Sequence, residues 1–342
     1  MSTKRSAHWS RREFLSSIAL AGAGCLVKLS SDLSAAEPRL ETTRIRLQRG
    51  DAICNVAKDL AEELLRAEGF TDVQYVRVSE KEYPSGAGAV ASGMIDIGTM
   101  SVHKIIALID EKQPVIFLSG LHIGCYELFG NERVRSFRDI KGKTVSVEAL
   151  NSSRYLLLAS MATYVGLDPR KDIQWITERP AVAMRLFTEG KIDAFFGMPP
   201  EPQQLRAKKI GHVIVNTIVD RPWSQYFCCA IAGNRDFVRK YPQATKRAIR
   251  AILKSAQLCA AEPELAARLL VDKGYVEQYD YALQSLKDIP YDRWRDYDPE
   301  DTIRFYSLRL REAGLIKSSP NQIIAQGTDW RFLKEVKKEL RT

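Results

Sequence analysis

A short phrase that occurs twice constrains the fold of this 342-residue chain more than any other feature. The same order of a glycine, an Ile-Asp pair, a short apolar run and a small-residue loop appears in Gly93-Met-Ile-Asp-Ile-Gly-Thr-Met-Ser101 and in Gly190-Lys-Ile-Asp-Ala-Phe-Phe-Gly-Met-Pro-Pro-Glu201. Such a glycine is typical of a helix end, and the apolar run is typical of a buried strand. Two copies of one helix–strand–loop unit predict an α/β protein with two similar lobes.

The loops that follow the two repeated strands are the first candidates for a functional site. Ligands of open α/β sheets bind outside the carboxyl ends of the strands. Residues 98–101 and 197–201 would each line such an edge. If the lobes face each other, both loops border one cleft.

The composition fits two cores and does not favour nucleic-acid binding. With 45% hydrophobic residues, the chain can fill more than one core. The sequence contains no uninterrupted apolar run of about 18 residues, which a transmembrane helix would need. Part of the net charge of +9 lies within residues 1–36, and the other basic residues are scattered among acids instead of forming a basic stripe.

The cysteines show no spacing that is typical of a metal site. There is no CxxC motif and no cysteine–histidine pattern of the zinc-binding type. We therefore expect no metal ion, and small buried thiols instead. Cys228 and Cys229 are adjacent in a predicted strand, which would point them to opposite faces and prevent a disulfide between them. If Cys25 leaves with a leader, an odd number remains, so at least one cysteine would be a free thiol or an intermolecular link.

Residues 1–36 are interpreted as an export leader. Ser10-Arg11-Arg12-Glu13-Phe14-Leu15 closely matches the twin-arginine signal, except that Ser16 stands where lysine is common. It is followed by a mildly apolar segment at 18–29. Then comes Ser34-Ala35-Ala36, whose small residues suit a signal peptidase. This order predicts export by the twin-arginine translocase and a periplasmic location. The alternatives are a basic disordered N-terminus and a lipid anchor on Cys25, which Gly22 disfavours because an acylation box usually has leucine there.

The rest of the chain alternates predicted strands and helices. Ser101 is placed to cap the helix that carries His103. From Pro242 onward the periodicity is helical, with a helix start at Asp298-Pro299-Glu300. No phosphate-binding loop is predicted, since neither Gly-Lys-Ser/Thr nor GxGxxG occurs. The predicted strands are 43–47, 73–78, 115–118, 125–129, 144–147, 173–176, 213–217 and 226–231.

Four phrases in the middle of the chain carry a resemblance to a known family. They are Phe137-Arg-Asp-Ile-Lys-Gly-Lys-Thr-Val-Ser-Val, Asn151-Ser-Ser, Val165-Gly-Leu-Asp-Pro and Gly190-Lys-Ile-Asp-Ala-Phe. In this order and spacing they resemble the periplasmic solute-binding proteins of nitrate, sulfonate and taurine ABC importers, which are related to the thiamine-pyrimidine synthase family. The resemblance extends from about Arg44 to Leu315.

The resemblance implies a two-lobed periplasmic binding-protein fold of type II, with two Rossmann-like lobes joined by a two-segment hinge. On this plan residues 42–130 and 232–342 form the first lobe and residues 131–231 the second. The implied function is capture of a small solute by a monomer, without catalysis or cofactor. The implied partners are a membrane permease and its ATPase.

The candidate ligand contacts at the start of a second-lobe helix are Asn151, Ser152 and Ser153. A helix start offers free N–H groups and hydroxyls to a carboxylate or sulfonate, and members of the resembled family commonly use this loop. Plain capping explains the first two residues equally well. The neighbouring Arg154 either adds a charge or is simply solvated.

The loops after the repeated strands supply further candidates. On the first lobe these are Thr99, Met100 and Ser101, for which turn formation is the alternative. On the second lobe they are Met198, Pro199 and Glu201, where relatives often have Trp-Glu-Pro. Glu201 either binds an amino group or only favours a helix N-terminus.

The remaining candidates are Arg49, His122, Trp223 and Tyr226. An arginine after the first strand suits a two-pronged contact with an anion. The histidine has no evident ligand partner, and a structural role is the alternative. The two aromatic rings either face a ring or alkyl chain of the solute or serve packing. Together these residues favour a small organic anion, a sulfonate or carboxylate, with aromatic anions among the candidates.

An enzyme on the same fold is the rival hypothesis. Pyrimidine synthases use a CCCFC segment, which Phe227-Cys228-Cys229-Ala230 does not match. A desulfinase-like enzyme would use a nucleophilic cysteine near the position of Cys54, but its Arg-x-Gly-Gly partner motif does not occur around Gly86. A reactive thiol would also need nearby positive charge, for which Arg49 is the evident candidate.

Overall fold

The structure, a computed structural model, describes residues 37–50, 52–78 and 87–340. The predicted leader at residues 1–36, with Cys25, lies outside them. Met1–Pro38 and Arg39–Thr342 are separate units, and all elements below belong to the second. Within the described residues, no helix is both long and apolar enough to cross a bilayer.

The first sheet has five strands in the order β2-β1-β3-β10-β4. β1, β2 and β3 are parallel, whereas β10 is antiparallel to both of its neighbours. Ile45 and Leu47 are fully buried and Arg44 is exposed, which is the alternation that defines a half-buried strand. The strands are β1 (Arg44–Gln48), β2 (Asp72–Val76), β3 (Ile97–Ser101), β4 (Val115–Ile123) and β10 (Phe227–Asn234).

The second sheet repeats this topology with the order β7-β6-β8-β5-β9. Here β6, β7 and β8 are parallel, and β5 is antiparallel to both β8 and β9. The predicted α/β fold with two similar lobes is therefore confirmed. The strands are β5 (Glu127–Gly130), β6 (Thr144–Val147), β7 (Gln174–Thr177), β8 (Ala194–Gly197) and β9 (His212–Asn216).

Helices pack on both sheets. In chain order they are α1 (Val56–Asp59), α2 (Glu62–Ala67), α3 (Ala87–Ala91), α4 (Val102–Asp110), α5 (Ser153–Tyr164), α6 (Pro180–Thr188), α7 (Glu201–Ala207), α8 (Arg235–Lys240), α9 (Pro242–Ala261), α10 (Pro263–Asp272), α11 (Tyr279–Asp288), α12 (Pro299–Glu312), α13 (Pro320–Gly327) and α14 (Arg331–Glu339). Short 3-10 helices cover Ile53–Asn55, Phe137–Ile140, Trp223–Gln225 and Tyr291–Arg295. α12 begins as predicted, since the Asp298 side chain accepts a hydrogen bond from the N–H of Glu300.

The repeated phrases occupy equivalent places in the two sheets. Gly93 and Gly190 have φ values of +77° and +70°, which a glycine adopts without strain. The strands that follow them, β3 and β8, are the middle strands of their sheets. The helix-ending glycines and buried strands predicted from the repeat are thus confirmed.

The chain changes sheets slightly earlier than the predicted lobe boundaries. β5 pairs within the second sheet and β10 within the first, so the crossings precede Glu127 and Phe227. A contiguous apolar core extends through the first sheet and into one face of the second, and a smaller one on the other face is built from Phe129, Ala183, Phe187, Ile192, Phe195 and Leu205. α12, far along the chain, packs against α5 of the second lobe.

Candidate functional site

The loops at the carboxyl ends of the two sheets meet at one hydrogen bond. α4 starts directly after β3, and α5 starts a few residues after β6. From α4, the Nζ of Lys104 donates to the carbonyl oxygen of Asn151, just before α5, at 3.2 Å. Lys104 is 8% exposed, and burial lowers its pKa. An ammonium group of the first lobe therefore lies at the predicted anion-binding loop of the second.

The residues of β3 that were predicted to contact a ligand are buried. Thr99 and Met100 are buried, and the Thr99 hydroxyl lies 3.5 Å from the carbonyl oxygen of Asn55. Ser101 occupies the cap position of α4, but its side chain makes no capping bond. Its hydroxyl instead pairs with Nδ1 of His103 at 3.1 Å, so the predicted cap is wrong.

The turn after β1 carries buried polar atoms whose hydrogen-bonding capacity is unused. The Nε of Arg49, the Oε1 of Gln48 and the Oδ1 of Asn55 have no hydrogen-bond partner among the described residues. The guanidinium carbon of Arg49 lies 4.9 Å from the centre of the Tyr275 ring. Since buried polar atoms are rarely left unpaired, this end of the first sheet is suited to a polar ligand.

A buried ion pair holds the Arg49 turn in place. Lys58 and Asp59 are 1% and 0% exposed, and their charged groups are 2.8 Å apart. Asp59 also accepts the N–H of Gly50 at 3.2 Å. Arg49 is thereby attached to a rigid support next to the candidate site.

One of the candidate ligand-binding residues at the start of α5 caps this helix. The Ser152 hydroxyl accepts the N–H of Tyr155 at 3.2 Å, so the capping alternative is correct for this residue. Asn151 is exposed and Ser153 is half-buried. Their polar groups and the N–H groups of the first turn are what this helix can offer to an anion.

Arg154 and Glu201 form a buried pair that the sequence reasoning missed. Arg154 is 5% exposed and donates to both oxygens of Glu201, at 2.7 and 2.8 Å, and to the carbonyl of Phe196. Burial acts to lower the pKa of Arg154, but Glu201 and Glu148 outweigh it and raise that pKa. Glu201 also accepts the N–H of Met198.

The pair explains the roles of the loop after β8. Glu201 is the first residue of α7, as the helix alternative required, and its charge is compensated by Arg154. Pro199 is buried and Met198 half-buried. The carboxylate therefore positions this loop and is a poor partner for a solute amino group.

Trp223 and Tyr226 pack between the lobes. The Tyr226 ring stacks on Phe305 of α12 at 4.1 Å between centroids. The Trp223 ring meets Tyr164 of α5 and Phe305 edge-on, at 5.3 and 5.8 Å. These contacts favour the packing alternative, and a solute contact by either ring stays a prediction.

A sequence comparison identifies the family. The NMT1-like family matches residues 78–271, which is more than half of the chain. The chain belongs to the NMT1-like family. Among curated proteins, none matches the sequence.

Solved structures show which fold this NMT1-like chain has. It is similar to the periplasmic nitrate-binding protein NrtA from Synechocystis PCC 6803, with 15% identity, a TM-score of 0.70, and 89% of this chain and 90% of that one covered. It is also similar to the alkanesulfonate-binding protein SsuA from Xanthomonas axonopodis pv. citri bound to MOPS, with 16% identity, a TM-score of 0.66, and 86% and 100% covered. The periplasmic sulfonate-binding protein SsuA from Methylobacillus flagellatus KT gives 19% identity, a TM-score of 0.65, and 89% and 96% covered. The likeness shows the periplasmic binding-protein fold.

His122 of the NMT1-like chain is fully buried, and it has partners that were not predicted. Its Nδ1 lies 3.1 and 3.2 Å from the carbonyl oxygens of Ile123 and Gly124, and its Nε2 lies 2.8 Å from that of Cys54. These backbone contacts give it a structural role in the first lobe, away from solvent. A direct solute contact by His122 is therefore not supported by its position.

The described cysteines of the NMT1-like chain are buried thiols as expected, but two of them are placed differently from the prediction. All five described cysteines are buried and unpaired. A β-bulge interrupts β10 at Cys228, so the regular alternation of side chains stops there. The sulfur of Cys228 lies 3.3 Å from that of Cys125, and the sulfur of Cys229 lies within 4.8 Å of the same atom, so the two side chains do not point to opposite faces as predicted.

Proposed function

We propose that this chain is the extracytoplasmic solute-binding component of an ABC importer and captures a small organic anion, sulfonate or carboxylate, between two closing lobes. The observation that supports this most directly is the hydrogen bond from Lys104 to Asn151, because it joins the strand-end loops of two sheets with the same topology. Of the three similar structures, two are described as sulfonate-binding proteins, whose ligands are organic anions of the proposed class, and one as a nitrate-binding protein, whose ligand is an inorganic oxyanion.

Positive charge and free N–H groups supply the affinity for an anion. Arg49 and Lys104 come from the first lobe, and the first turn of α5 comes from the second. An oxyanion between them would accept charge-assisted hydrogen bonds in a partly desolvated place, where such bonds are strong. Thr99, Asn151 and Ser153 complete the proposed polar contacts.

The two lobes would close because the solute contacts both of them. We take the described chain before Glu127 and from Phe227 onward as the first lobe and the residues between them as the second, with the two crossings as the hinge. A solute that bonds to both lobes only when they are closed shifts the population toward the closed form by its differential affinity. A permease with its ATPase would recognise the closed monomer.

The leader is proposed to direct the protein to the periplasm through the twin-arginine translocase. Replacing Arg11 and Arg12 by lysine should leave the precursor in the cytoplasm, as measured by fractionation and immunoblotting. Normal periplasmic delivery of that variant would contradict the proposed route.

The burial of Cys54 argues against the enzyme alternative. A hydrogen bond with Cys125 acts to lower the pKa of Cys54, but a hydrogen bond with Cys229 and burial outweigh it and raise that pKa to about 11. The group is thus a thiol at neutral pH and a weak nucleophile. Incubation with sulfinates should give no turnover; product formation that is lost in Cys54→Ala would establish the enzyme instead.

A thermal-shift screen tests the proposed ligand class. The panel contains taurine, alkyl and aryl sulfonates, nitrate, aromatic carboxylates and pyrimidines. A ligand that binds the folded state raises the apparent melting temperature by mass action, equivalent to about 2.7 kcal/mol at a hundredfold excess over Kd. The largest shift is expected from an organic anion, and shifts from neutral or cationic compounds alone would contradict the proposal.

A matched pair of variants tests the position of the site. Arg49→Gln should weaken binding of the best panel ligand by about tenfold or more, since charge-assisted hydrogen bonds are lost. Arg44→Gln removes an equal charge from the opposite end of the same strand and should leave the affinity unchanged. Equal effects of both variants would place the ligand elsewhere.

A further inference from the structure

Three cysteines and a histidine converge in the interior of the first lobe. They are Cys54, His122, Cys125 and Cys229, with exposures of 1%, 0%, 1% and 2%. One ligand atom from each lies within 4.8 Å of all the others. None of these residues belongs to the proposed anion site.

We propose that these four residues, called the Cys3His cluster below, bind one thiophilic metal ion, with zinc(II) as the expected occupant. Three thiolates and one imidazole are a common donor set of closed, tetrahedral zinc sites. Soft sulfur ligands also disfavour magnesium and calcium, which take oxygen ligands. Because all four residues are buried, the ion would have a structural and not a catalytic role.

The surroundings of His122 suit metal coordination. Its two ring nitrogens face three backbone carbonyl oxygens, and a neutral imidazole carries one N–H to serve them. Coordination through Nε2 would replace the contact with the Cys54 carbonyl. Nδ1–H would then donate to the carbonyl of Ile123 or Gly124, which is the outer hydrogen bond that orients a metal-bound histidine.

The four ligands come from three stretches of the chain that meet only in the folded protein, since His122 and Cys125 are three residues apart. Cys54 follows β1, His122 lies in β4, Cys125 lies in the crossing to the second lobe, and Cys229 lies in β10. An ion would attach the crossing segment to three parts of the first lobe. We therefore expect the metal to stabilise the base of the hinge, independently of which solute is bound.

A disulfide is the main competing state of these thiols. The sulfur atoms of Cys125 and Cys228 are 3.3 Å apart, which is contact between two thiols and longer than the about 2.05 Å of a disulfide. Oxidation of this pair by a thiol–disulfide oxidoreductase would remove Cys125 from the Cys3His cluster. The two states exclude each other, so one experiment separates them.

The experiment measures metal in the full chain purified under reducing conditions after growth with zinc. Elemental analysis after gel filtration should give about one zinc ion per chain for the wild type. Cys54→Ser and Cys229→Ser should each lose most of it. Cys259→Ser is the matched control, because Cys259 is equally buried but lies in α9 outside the Cys3His cluster; it should keep its zinc.

Cobalt(II) replacement gives a second readout that does not depend on the stability of the variants. Wild-type protein loaded with cobalt should show thiolate-to-cobalt charge-transfer absorption and intense visible bands of a tetrahedral site. A chelator should remove them and lower the melting temperature. If a serine variant fails to fold, the wild-type stoichiometry and spectrum decide alone.

Three results would overturn the proposal. One is a zinc content below about one-tenth of an ion per wild-type chain. Another is an unchanged zinc content in folded Cys229→Ser. The third is a Cys125–Cys228 disulfide in the protein isolated from its native compartment, mapped by mass spectrometry. None of these measurements involves the solute, so failure here leaves the proposed transport function untouched.

Discussion

Asp96 and Asp193 make the same three backbone connections in the two sheets. Each donates its N–H to the neighbouring parallel strand, to Arg46 at 2.9 Å and to Thr144 at 3.0 Å. Each carboxylate accepts the N–H of that same residue, at 2.7 and 2.9 Å. Each carbonyl accepts the N–H of an asparagine that ends or follows the antiparallel strand. The aspartate of the repeated phrase therefore fixes three strands of its sheet to one another.

We expect Asp96→Asn and Asp193→Asn each to lower the free energy of unfolding by about 1–3 kcal/mol, because an amide cannot replace the carboxylate in all of its hydrogen bonds. The aspartates lie in different sheets, so the losses should add in the double variant. Urea denaturation measures both. The exposed pair of Glu189 and Lys191 provides the control, since Glu189→Gln should leave stability almost unchanged.

The stability that is lost in Asp193→Asn should depend on pH. Burial acts to raise the pKa of Asp193, but hydrogen bonds from Thr144 outweigh it and lower that pKa below its ordinary 3.8. Its contribution is thus present above the pKa of the unfolded chain and is lost as pH falls through the lower folded value. The difference in stability between wild type and Asp193→Asn should therefore shrink as the pH falls below 3.8. A difference that stays constant throughout the acidic range would contradict this explanation.

Arg154→Met should destabilise the protein by about 3–5 kcal/mol, because it leaves the Glu201 carboxylate partly buried without its cation. The double variant with Glu201→Gln should recover part of the loss. Chemical denaturation of the four proteins in a double-mutant cycle gives the coupling. Arg185→Met is the control, since its pair with Glu189 is exposed and 3.9 Å long; a similar loss there would disprove the role of burial.

Lys104→Ala should weaken the binding of the best solute of the thermal-shift panel by about tenfold, since it removes a charged donor and the contact with Asn151. Without solute, the variant should also populate a more open form, seen as a larger radius of gyration in solution scattering. Lys334→Ala on the exposed face of α14 should change neither quantity. Full affinity in Lys104→Ala would exclude this lysine from the site.

His103 should make the protein less stable in acid. Burial lowers its pKa from 6.5 to about 3, so the folded chain keeps it neutral while the unfolded chain takes up a proton. Stability should therefore fall as pH falls from 6.5 to about 3, by up to about 1.4 kcal/mol per pH unit from this residue. His103→Phe should remove that part of the slope in urea melts at several pH values. An unchanged slope would show that other groups cause the acid sensitivity.

Much of the fold could be predicted from local sequence. The glycines at 93 and 190, the Ile-Asp pairs and the apolar runs determine elements through nearby residues, so they are visible without tertiary information. The Ser152 cap is likewise determined by neighbouring residues in the sequence. The lobe boundaries were displaced because β5 and β10 read as ordinary apolar strands, and the sequence does not indicate which sheet a strand joins.

The parts of the site that were missed depend on contacts between distant segments. In the sequence, Lys104 is one lysine of a predicted helix and nothing distinguishes Gln48 or Asn55. Only the folded chain shows that they lie at the strand ends. The Arg154–Glu201 pair and the Cys3His cluster are equally invisible to motif spacing, because Arg154 and Glu201 are far apart along the chain and, of the cluster, only His122 and Cys125 are close in sequence. An arginine just after a predicted helix cap, together with an acid just after the repeated second-lobe strand, is a pattern that could have suggested the Arg154–Glu201 pair.

The placement of β10 has a consequence for biosynthesis. Because this strand lies between β3 and β4, β4 gains its sheet partner only after the ribosome has made the whole second lobe. A nascent chain that stops short of residue 227 would carry β3 and β4 with a missing strand between them, while the second sheet already has all of its strands. We therefore expect protease resistance during translation to appear first in the middle of the chain and to reach its N-terminal third only after β10 has left the exit tunnel.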